Sequence, residues 1–469
     1  MNFKSNQISN IKKYEENQYD FNNDEYKYTI NSIVYDIDWI TDDMYEFTYI
    51  DGEVTYFKEN LDGTLLISYV EEIGERTFWG CDDLTSVIIG DSVETIDECA
   101  FYGCDNLTSI VIDDNNPNYY SDGNILFNKD KSELILLYNK SLVEYVIPDS
   151  VTSIGNYAFN SCSNLTSVKI GNSVKTIGKC AFDSCINLNT VIIGNSVTSI
   201  NSDAFAFCKN LSTLIIPNSV ISINKFTFHN CDNLTSIVID DNNPNYYSDN
   251  NILFNKDKSK LILLYNKSLV ECVIPDSVKT IGESAFWGCD NLTSVIIPNT
   301  VTSIDDHAFV YCYKLSSISI PNSVISIGEN AFENCYKLNS ILIPNSVTSI
   351  GGYAFHNCDN LTSVKIGNSV KTIGECAFDN CKNLSTLIIG NSVKTIGKCA
   401  FYKCKNLSSV IIGNSVISIS KYAFSSCDNL KTITILYSPN EQPDETAKLN
   451  YQQMFRNDNI TFIWEQYTK

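Results

Sequence analysis

The chain has 469 residues, of which 33 are Lys or Arg and 55 are Asp or Glu, so its net charge is −22. Nucleic acids and anionic membrane surfaces are bound through basic patches, and an acidic chain favours neither class of partner. Hydrophobic residues make up 43% of the chain, which excludes a disordered protein, and no apolar run approaches the roughly 20 residues of a membrane-spanning helix.

The N-terminal residues differ from the rest of the chain. Residues 1–23 are polar and predict a disordered segment without the apolar core of a secretory signal, which favours a cytoplasmic protein. Residues 24–69 contain stretches of alternating polarity, including 45–50 and 54–57 with Asp51 and Gly52 between them. This pattern predicts an N-terminal β cap.

One repeat occupies residues 70–435. A phenylalanine followed three residues later by a cysteine recurs thirteen times, mostly at intervals of 23 residues and twice at 58. The unit 347–366, VTSIGGYAFHNCDNLTSVKI, shows the pattern. The thirteen phenylalanines are Phe78, Phe101, Phe159, Phe182, Phe205, Phe228, Phe286, Phe309, Phe332, Phe355, Phe378, Phe401 and Phe424.

A unit of 23 residues cannot bury its own apolar side chains, so the units are expected to stack into a solenoid, like residue over like. The segment L-T-S-V-x-I predicts a strand whose side chains alternate between core and solvent. In the first unit Val87 and Ile89 should point into the core, and Ser86 and Ile88 should point outward. The V-x-x-I segment predicts a brief second strand. The Ala-Phe segment predicts one helical turn.

The units resemble the BspA-like leucine-rich repeat family. The series Ile320, Pro321, Ser323, Val324, Ile327, Gly328, Ala331, Phe332, Cys335 and Leu338 follows that family's pattern closely. The resemblance implies a right-handed, curved solenoid of the mostly β leucine-rich repeat type, with a parallel sheet on the concave face. It also implies a cell-surface or secreted protein that adheres to other proteins, as an alternative to the cytoplasmic location.

Two long intervals and the C-terminus complete the predicted organisation. The inserts, near 113–147 and 240–274, lie in segments 104–151 and 231–278, which match at 45 of 48 positions. Each insert predicts a hairpin that protrudes from the solenoid. Residues 436–469 predict a C-terminal cap with a loop, a short helix ending near Phe455 and a strand at 460–464. Caps would cover the exposed end layers of the core.

Residue types that carry chemistry do not converge on one site. The 18 cysteines recur at fixed repeat positions without zinc-site spacing, and are interpreted as buried free thiols rather than disulfides or metal ligands. The three histidines are predicted to be surface residues. The Asp113 and Asp114 loop is interpreted as an Asx turn rather than a Ca²⁺ site. We therefore predict no catalytic residues, no metal and no cofactor.

The outward strand positions are the candidate binding residues. The first is Ser or Thr in every unit, and the second is mostly aliphatic. An exposed apolar stripe typically marks an interaction surface, although β propensity alone also favours these residue types. The predicted partner-binding residues on the concave face are Ser86, Ile88, Thr190, Ile192, Thr213, Ile215, Ile296, Leu342, Ile388 and Ile411.

These features favour a non-enzymatic scaffold that binds an unidentified protein partner through the concave face or the inserts, with an adhesion-like role as one form of this function and a monomer as the expected state. A structural or self-associating repeat protein is the alternative. A β-solenoid enzyme acting on polysaccharides is a remote one, because it would need clustered Asp, Arg or Lys on neighbouring turns. Neither nucleic acid binding nor membrane insertion is predicted.

Overall fold

The computed structural model describes residues 48–50, 53–56, 63–67, 70–437, 445–455 and 460–466. The predicted disordered segment 1–23, most of the predicted N-terminal cap and the loop 438–444 lie outside these residues. The chain contains two compact units, one ending at Cys231 and the other beginning at Asp232. Each is described by itself below.

Each unit is a stack of 23-residue turns, and each regular turn contributes two strands. The longer strand follows the cysteine and the shorter one, of two residues, precedes the phenylalanine. Like residues pair with like residues in parallel register, for example Val191 with Leu214 and Ile192 with Ile215. The predicted solenoid with parallel sheets is therefore confirmed. We refer to its two kinds of sheet as the long-strand sheets and the short-strand sheets.

In the first unit the long strands are Gly63–Ile67, Leu84–Ile89, Ser109–Ile112, Glu144–Val146, Ser167–Lys169, Thr190–Ile192 and Thr213–Ile216. The other strands are Thr48–Ile50, Glu53–Tyr56, Glu72–Ile73, Thr95–Ile96, Tyr119–Ser121, Ile125–Asn128, Glu133–Leu137, Ser153–Ile154, Thr176–Ile177, Ser199–Ile200 and Ser222–Ile223.

In the second unit the long strands are Ser236–Ile239, Glu271–Val273, Ser294–Ile296, Ser317–Ile318, Ser340–Ile343, Ser363–Ile366, Thr386–Ile389, Ser409–Gly413, Thr432–Tyr437 and Thr461–Gln466. The other strands are Tyr246–Asp249, Ile252–Asn255, Lys260–Leu264, Thr280–Ile281, Ser303–Ile304, Ser326–Ile327, Ser349–Ile350, Thr372–Ile373, Thr395–Ile396 and Ser418–Ile419. A helix, Glu445–Phe455, precedes the last strand. No helix in the described part of the chain is long and apolar enough to cross a membrane.

The core of each unit is a set of side-chain columns that run from turn to turn. The anchor phenylalanines stack face to face, with ring centroids 4.6 Å apart for Phe286 and Phe309 and 5.3 Å apart for Phe378 and Phe401. At the C-terminal end Phe455 of the helix packs 5.1 Å from Phe424. The helix thus covers the last ring of the column, which no further turn would otherwise shield from water.

The Ala-Phe segment is not the helical turn that the sequence predicts. Two residues in each turn, two before and two after the phenylalanine, have positive φ, for example Cys180 at 52° and Ser184 at 61° around Phe182. The amide of Phe182 donates to the carbonyl of Ala204 in the following turn at 2.8 Å. These amides donate to the next turn rather than within a helix, because the buried carbonyl groups of the next turn also need hydrogen-bond donors.

The cysteine column joins successive turns by hydrogen bonds. In the first unit Cys208 Sγ donates to the carbonyl of Phe182, one turn earlier, at 3.1 Å, and in the second unit Cys381 Sγ donates to Phe355 at 3.2 Å. All 18 cysteines are free thiols, and all but Cys99 and Cys399 are buried. A cysteine at this position therefore supplies a small apolar side chain and a donor for a buried carbonyl.

The inserts form hairpins, but these do not protrude as predicted. In the first insert Ile125–Asn128 pairs antiparallel with Glu133–Leu137, which in turn pairs parallel with Ser153–Ile154. The second insert has the same arrangement, since Lys260–Leu264 joins Thr280–Ile281. Each hairpin is part of a short-strand sheet, because its apolar residues, such as Leu134 and Leu261, are needed in the core.

Substitutions on the two faces of one long strand should differ in effect. Leu214 is fully buried and Ile215 is 60% exposed. We expect Leu214→Ala to lower the free energy of unfolding by about 2–5 kcal/mol, the range for a buried leucine. Ile215→Thr should change it by less than about 0.5 kcal/mol, as most surface substitutions do. Urea denaturation measures both, and equal losses would contradict the assignment of the two faces.

The thiol column predicts a large difference between native and denatured reactivity. Burial raises the pKa of the Cys104 and Cys289 thiols to about 12, which keeps them protonated and unreactive. In native protein at pH 8 we expect Ellman's reagent to modify mainly Cys99 and Cys399, which are only half-buried. In guanidinium without reductant all 18 should react. A denatured count below half of that number would show that disulfides predominate.

Candidate functional site: the outer face of the long-strand sheets

The outer face of the long-strand sheets carries two rows of side chains. Strand alternation places every second residue in the core, and the residues between them point outward. The first outward row carries hydroxyl groups, including Ser86, Thr190 and Thr213. The second row is mostly aliphatic, and we call it the apolar stripe. Its members within each unit lie at corresponding positions of paired strands.

In the first unit the apolar stripe runs across four paired strands as Val146, Lys169, Ile192 and Ile215. Ile192 is 53% exposed although its neighbour Val191 is buried. Ile88, another predicted binding residue, lies at the same position of Leu84–Ile89 but is only half-buried. The predicted outward orientation is therefore clear at Ile192 and Ile215 and weaker at Ile88.

In the second unit the stripe has two segments. Val273 pairs with Ile296, and a longer run passes through Leu342, Lys365, Ile388 and Ile411. Ile296 and Leu342 are exposed by about three fifths, whereas Ile388 is 38% exposed and Ile411 is half-buried. The structure thus places the predicted residues of each unit in rows, with the greatest exposure at Ile215 in the first unit and at Ile296 and Leu342 in the second.

The sequence reasoning missed the contribution of the inserts to the stripe. Val146 and Val273 end the inserts, stand at stripe positions and are among the most exposed aliphatic residues of the chain. Their neighbours Val143 and Val270 are exposed as well. The signal was present, because the segment 142–148, LVEYVIP, follows the L-T-S-V-x-I-P pattern of a regular unit.

The stripe is also free of negative charge over most of its length. The outward positions of Ser167–Lys169, Thr190–Ile192 and Thr213–Ile216 carry no carboxylate, and the same holds from Ser340–Ile343 to Ser409–Gly413. The only charges at these positions are Lys169 and Lys365. In a chain of net charge −22 this surface has no carboxylate and few charges, and the cores of protein interfaces are depleted of charge in the same way.

The position directly after the anchor phenylalanine carries titratable side chains in several turns, including Asp183, His356 and Asp379. His356 Nδ1 stands 3.3 Å from Asp379 Oδ2 on the next turn. The histidines were predicted to be surface residues, and all three, His229, His307 and His356, are half-buried, because residues beside the phenylalanine column pack against neighbouring rings. Within the described ranges no three His, Cys, Asp or Glu side chains are grouped to hold a metal ion.

The repeat pattern defines a protein family. A model of the BspA type leucine rich repeat region matches residues 48–132, 135–256, 262–385 and 348–463, with six copies. The chain belongs to this family. No curated protein matches the chain.

Two solved structures are similar in fold. A leucine-rich repeat protein from Eubacterium ventriosum is 27% identical, with a TM-score of 0.56 over 66% of this chain and 94% of that one. The pneumococcal vaccine antigen PcpA is 19% identical, with a TM-score of 0.51 over 88% of this chain and 92% of that one. Both support a leucine-rich repeat fold.

Asp183 occupies the position after the anchor phenylalanine in the first unit and should give stability a pH dependence. Its carboxylate accepts a hydrogen bond from Asn160 Nδ2 at 3.0 Å, yet burial raises its pKa from 3.8 to about 6. The folded protein therefore binds this proton more tightly than the unfolded chain. The resulting stability is present below about pH 4 and is lost as pH rises through 6.

Asp183→Asn removes the buried charge and keeps an oxygen acceptor for Asn160. We expect the substitution to stabilise the protein at pH 8 by about 1 kcal/mol, a value reduced for solvent screening of a half-buried group, and to have no effect at pH 3.5. Thermal unfolding at both pH values measures this, with the exposed Asp82→Asn as control. A gain of equal size at both pH values would contradict the assignment.

Proposed function

We propose that the chain is a non-catalytic leucine-rich repeat scaffold that binds protein partners through the apolar stripe and its hydroxyl row. The observation that carries this proposal is the exposure of aliphatic side chains on consecutive strands, with Ile192 beside Ile215 and Leu342 in the same row as Ile388. Thr would serve the strand equally well and cost nothing in solubility, so the aliphatic residues favour a surface that is covered by a partner.

The stripe also has the composition of an interface centre. Full burial of an isoleucine contributes about 1.5–3 kcal/mol, so covering the exposed half of Ile192 or Ile215 contributes about 1–1.5 kcal/mol. Several such residues in a row, flanked by hydroxyl groups that form hydrogen bonds, suit a partner with an apolar patch and few charges. The partner is therefore expected to be a protein rather than a polyanion.

Self-association is the second candidate function, favoured by one observation. Thr461–Gln466 is the final strand of its sheet, where it pairs with Thr432–Tyr437, and Ile463 on it is exposed. An edge strand offers unpaired backbone groups to another chain. Sedimentation velocity over a hundredfold concentration range distinguishes the two, since the scaffold function predicts one concentration-independent species.

We further propose that the protein works in a reducing compartment, because its free thiols fill the core and serve as hydrogen-bond donors there. The location of adhesive members of the family on cell surfaces is the alternative. Labelling of intact source cells with a membrane-impermeant reagent tests it, since surface exposure would make the chain labelled without lysis.

The binding proposal is tested by two triple variants of equal chemistry. The stripe variant changes three isoleucines of the apolar stripe to Thr, namely Ile192, Ile215 and Ile388. The control variant changes to Thr three isoleucines that are exposed next to the short strands, namely Ile221, Ile325 and Ile417. The full chain is immobilised and the proteins retained from source-cell extract are quantified by mass spectrometry. We expect the stripe variant to bind its specific partners at least about tenfold more weakly, a loss of about 1.4 kcal/mol or more in binding free energy. Its melting temperature should be unchanged.

The control variant should retain those partners. Equal retention by both variants would show that the stripe is not the binding surface. Equal loss by both would show that binding follows general surface hydrophobicity and not a defined site.

A further inference from the structure

Regular turns of the first unit use three backbone amides to join the next turn. Around Phe159 the amide of Tyr157 donates to Lys179, that of Phe159 to Ala181 and that of Ser161 to Asp183, at 2.7–2.9 Å. One turn earlier the corresponding amides belong to Cys99, Phe101 and Gly103. The N–H groups of Cys99, Phe101 and Gly103 have no hydrogen-bond acceptor in the part of the chain that the structure describes.

The first insert explains why these donors are unused. Leu134 pairs with Ile154 and Tyr145 pairs with Val168, so the insert supplies a strand to both sheets. Its connection from Leu134 to Tyr145 is three residues shorter than the connection from Ile154 to Val168. The insert strands belong to the sheets of the following turns, and among the described strands no pairing joins them to Ser109–Ile112 or Thr95–Ile96 of the preceding turn. The short connection leaves out part of the outer turn, where the acceptors for the three amides would lie.

A cavity of about 560 Å³ occupies the place of the missing turn. Residues 99–103 line it, together with Asn156 and Tyr157 of the next turn and Leu136 of the insert. Its volume lies within the range of roughly 300–1,000 Å³ that is typical of ligand pockets. A side-chain hydrogen bond of 2.6 Å from Asn156 Nδ2 to Glu98 Oε1 joins the two turns that border it.

The lining of the cavity is acidic. Glu94, Asp97, Glu98 and Glu133 contribute carboxylates, and Lys140, the single basic side chain among the described lining residues, is paired with Asp105 at 2.7 Å. The charge of the site therefore favours a cation. The unused amides, in contrast, require oxygen acceptors, so the ligand should combine carbonyl oxygens with a positive charge.

We propose that this cavity binds a short extended peptide segment that carries a lysine or arginine side chain. An extended strand presents its carbonyl groups on one side at every second residue, which matches the spacing of Cys99, Phe101 and Gly103. The basic side chain reaches the carboxylates of Glu94 and Glu98. The cavity contains no residue of the apolar stripe, so this site goes beyond the function proposed above and stands independently of it.

Hydrogen exchange of the full chain tests the backbone part of the proposal. The probes are two capped tetrapeptides, acetyl-Lys-Val-Lys-Val-amide and acetyl-Glu-Val-Glu-Val-amide. Without peptide the amides of Cys99, Phe101 and Gly103 should exchange at least about tenfold faster than those of Cys180, Phe182 and Ser184, which hold the same positions with acceptors at 2.8–3.0 Å. Saturating lysine peptide should slow the first set by about tenfold and leave the second unchanged.

Affinity measurements test the charge part. Glu94→Gln with Glu98→Gln keeps the hydrogen bond to Asn156 possible while it removes two charges. Calorimetry should show at least about tenfold weaker binding of the lysine peptide to this variant. Glu375→Gln is the matched control, since Glu375 holds the same repeat position as Glu98 but pairs with Lys398 on the next turn at 3.0 Å. Its affinity should equal that of the unaltered protein.

Three results would overturn the proposal. The first is equal binding of the glutamate peptide, and the second is unchanged affinity in the Glu94 and Glu98 variant. The third is protection of the three amides that arises without peptide and grows with protein concentration, because the cavity would then be occupied by a second copy of the chain.

Discussion

The structure depends on one constraint, which is that each turn must satisfy the backbone of its neighbour at a spacing of about 5 Å. The ring spacing of the phenylalanine column and the amide bonds from Phe to the next Ala both follow from it. The thiol of each regular cysteine donates a hydrogen bond to a phenylalanine carbonyl, whose second lone pair the backbone amides do not use. Apolar columns and polar ladders are thus parts of the same repeat, and neither would be stable without the other.

Most of the fold could be predicted from the sequence, because the pattern of apolar residues reports directly which side chains share a column. Val191 and Leu214 were assignable to the core, and Ile192 and Ile215 to the surface, by strand alternation alone. The pattern says little about backbone direction between the strands. The helical turn expected around Phe182 was wrong for that reason, since nothing in residue type distinguishes amides that bond within a turn from amides that bond along the stack.

The candidate site could be predicted in part. The stripe residues were visible as a column of aliphatic residues, but their degree of exposure was not, and Ile88 and Ile411 are more buried than Ile296. The cavity beside Phe101 could not be predicted at all. It depends on the pairing of Leu134 with Ile154, which fixes how short the connection of the insert is, and strand partners of an irregular segment are not readable from one sequence.

The positive φ angles of the turns have a consequence for how the protein can diversify. Their values vary little, while the residues that adopt them include Asp203, Phe226, His307 and Tyr353. Glycine would relieve about 1 kcal/mol of strain at such a position, yet the chain retains varied side chains there. At this edge of the solenoid the backbone conformation is therefore constant while the side chains vary. Substitutions there can change the surface chemistry of one turn at a time without a change in the backbone.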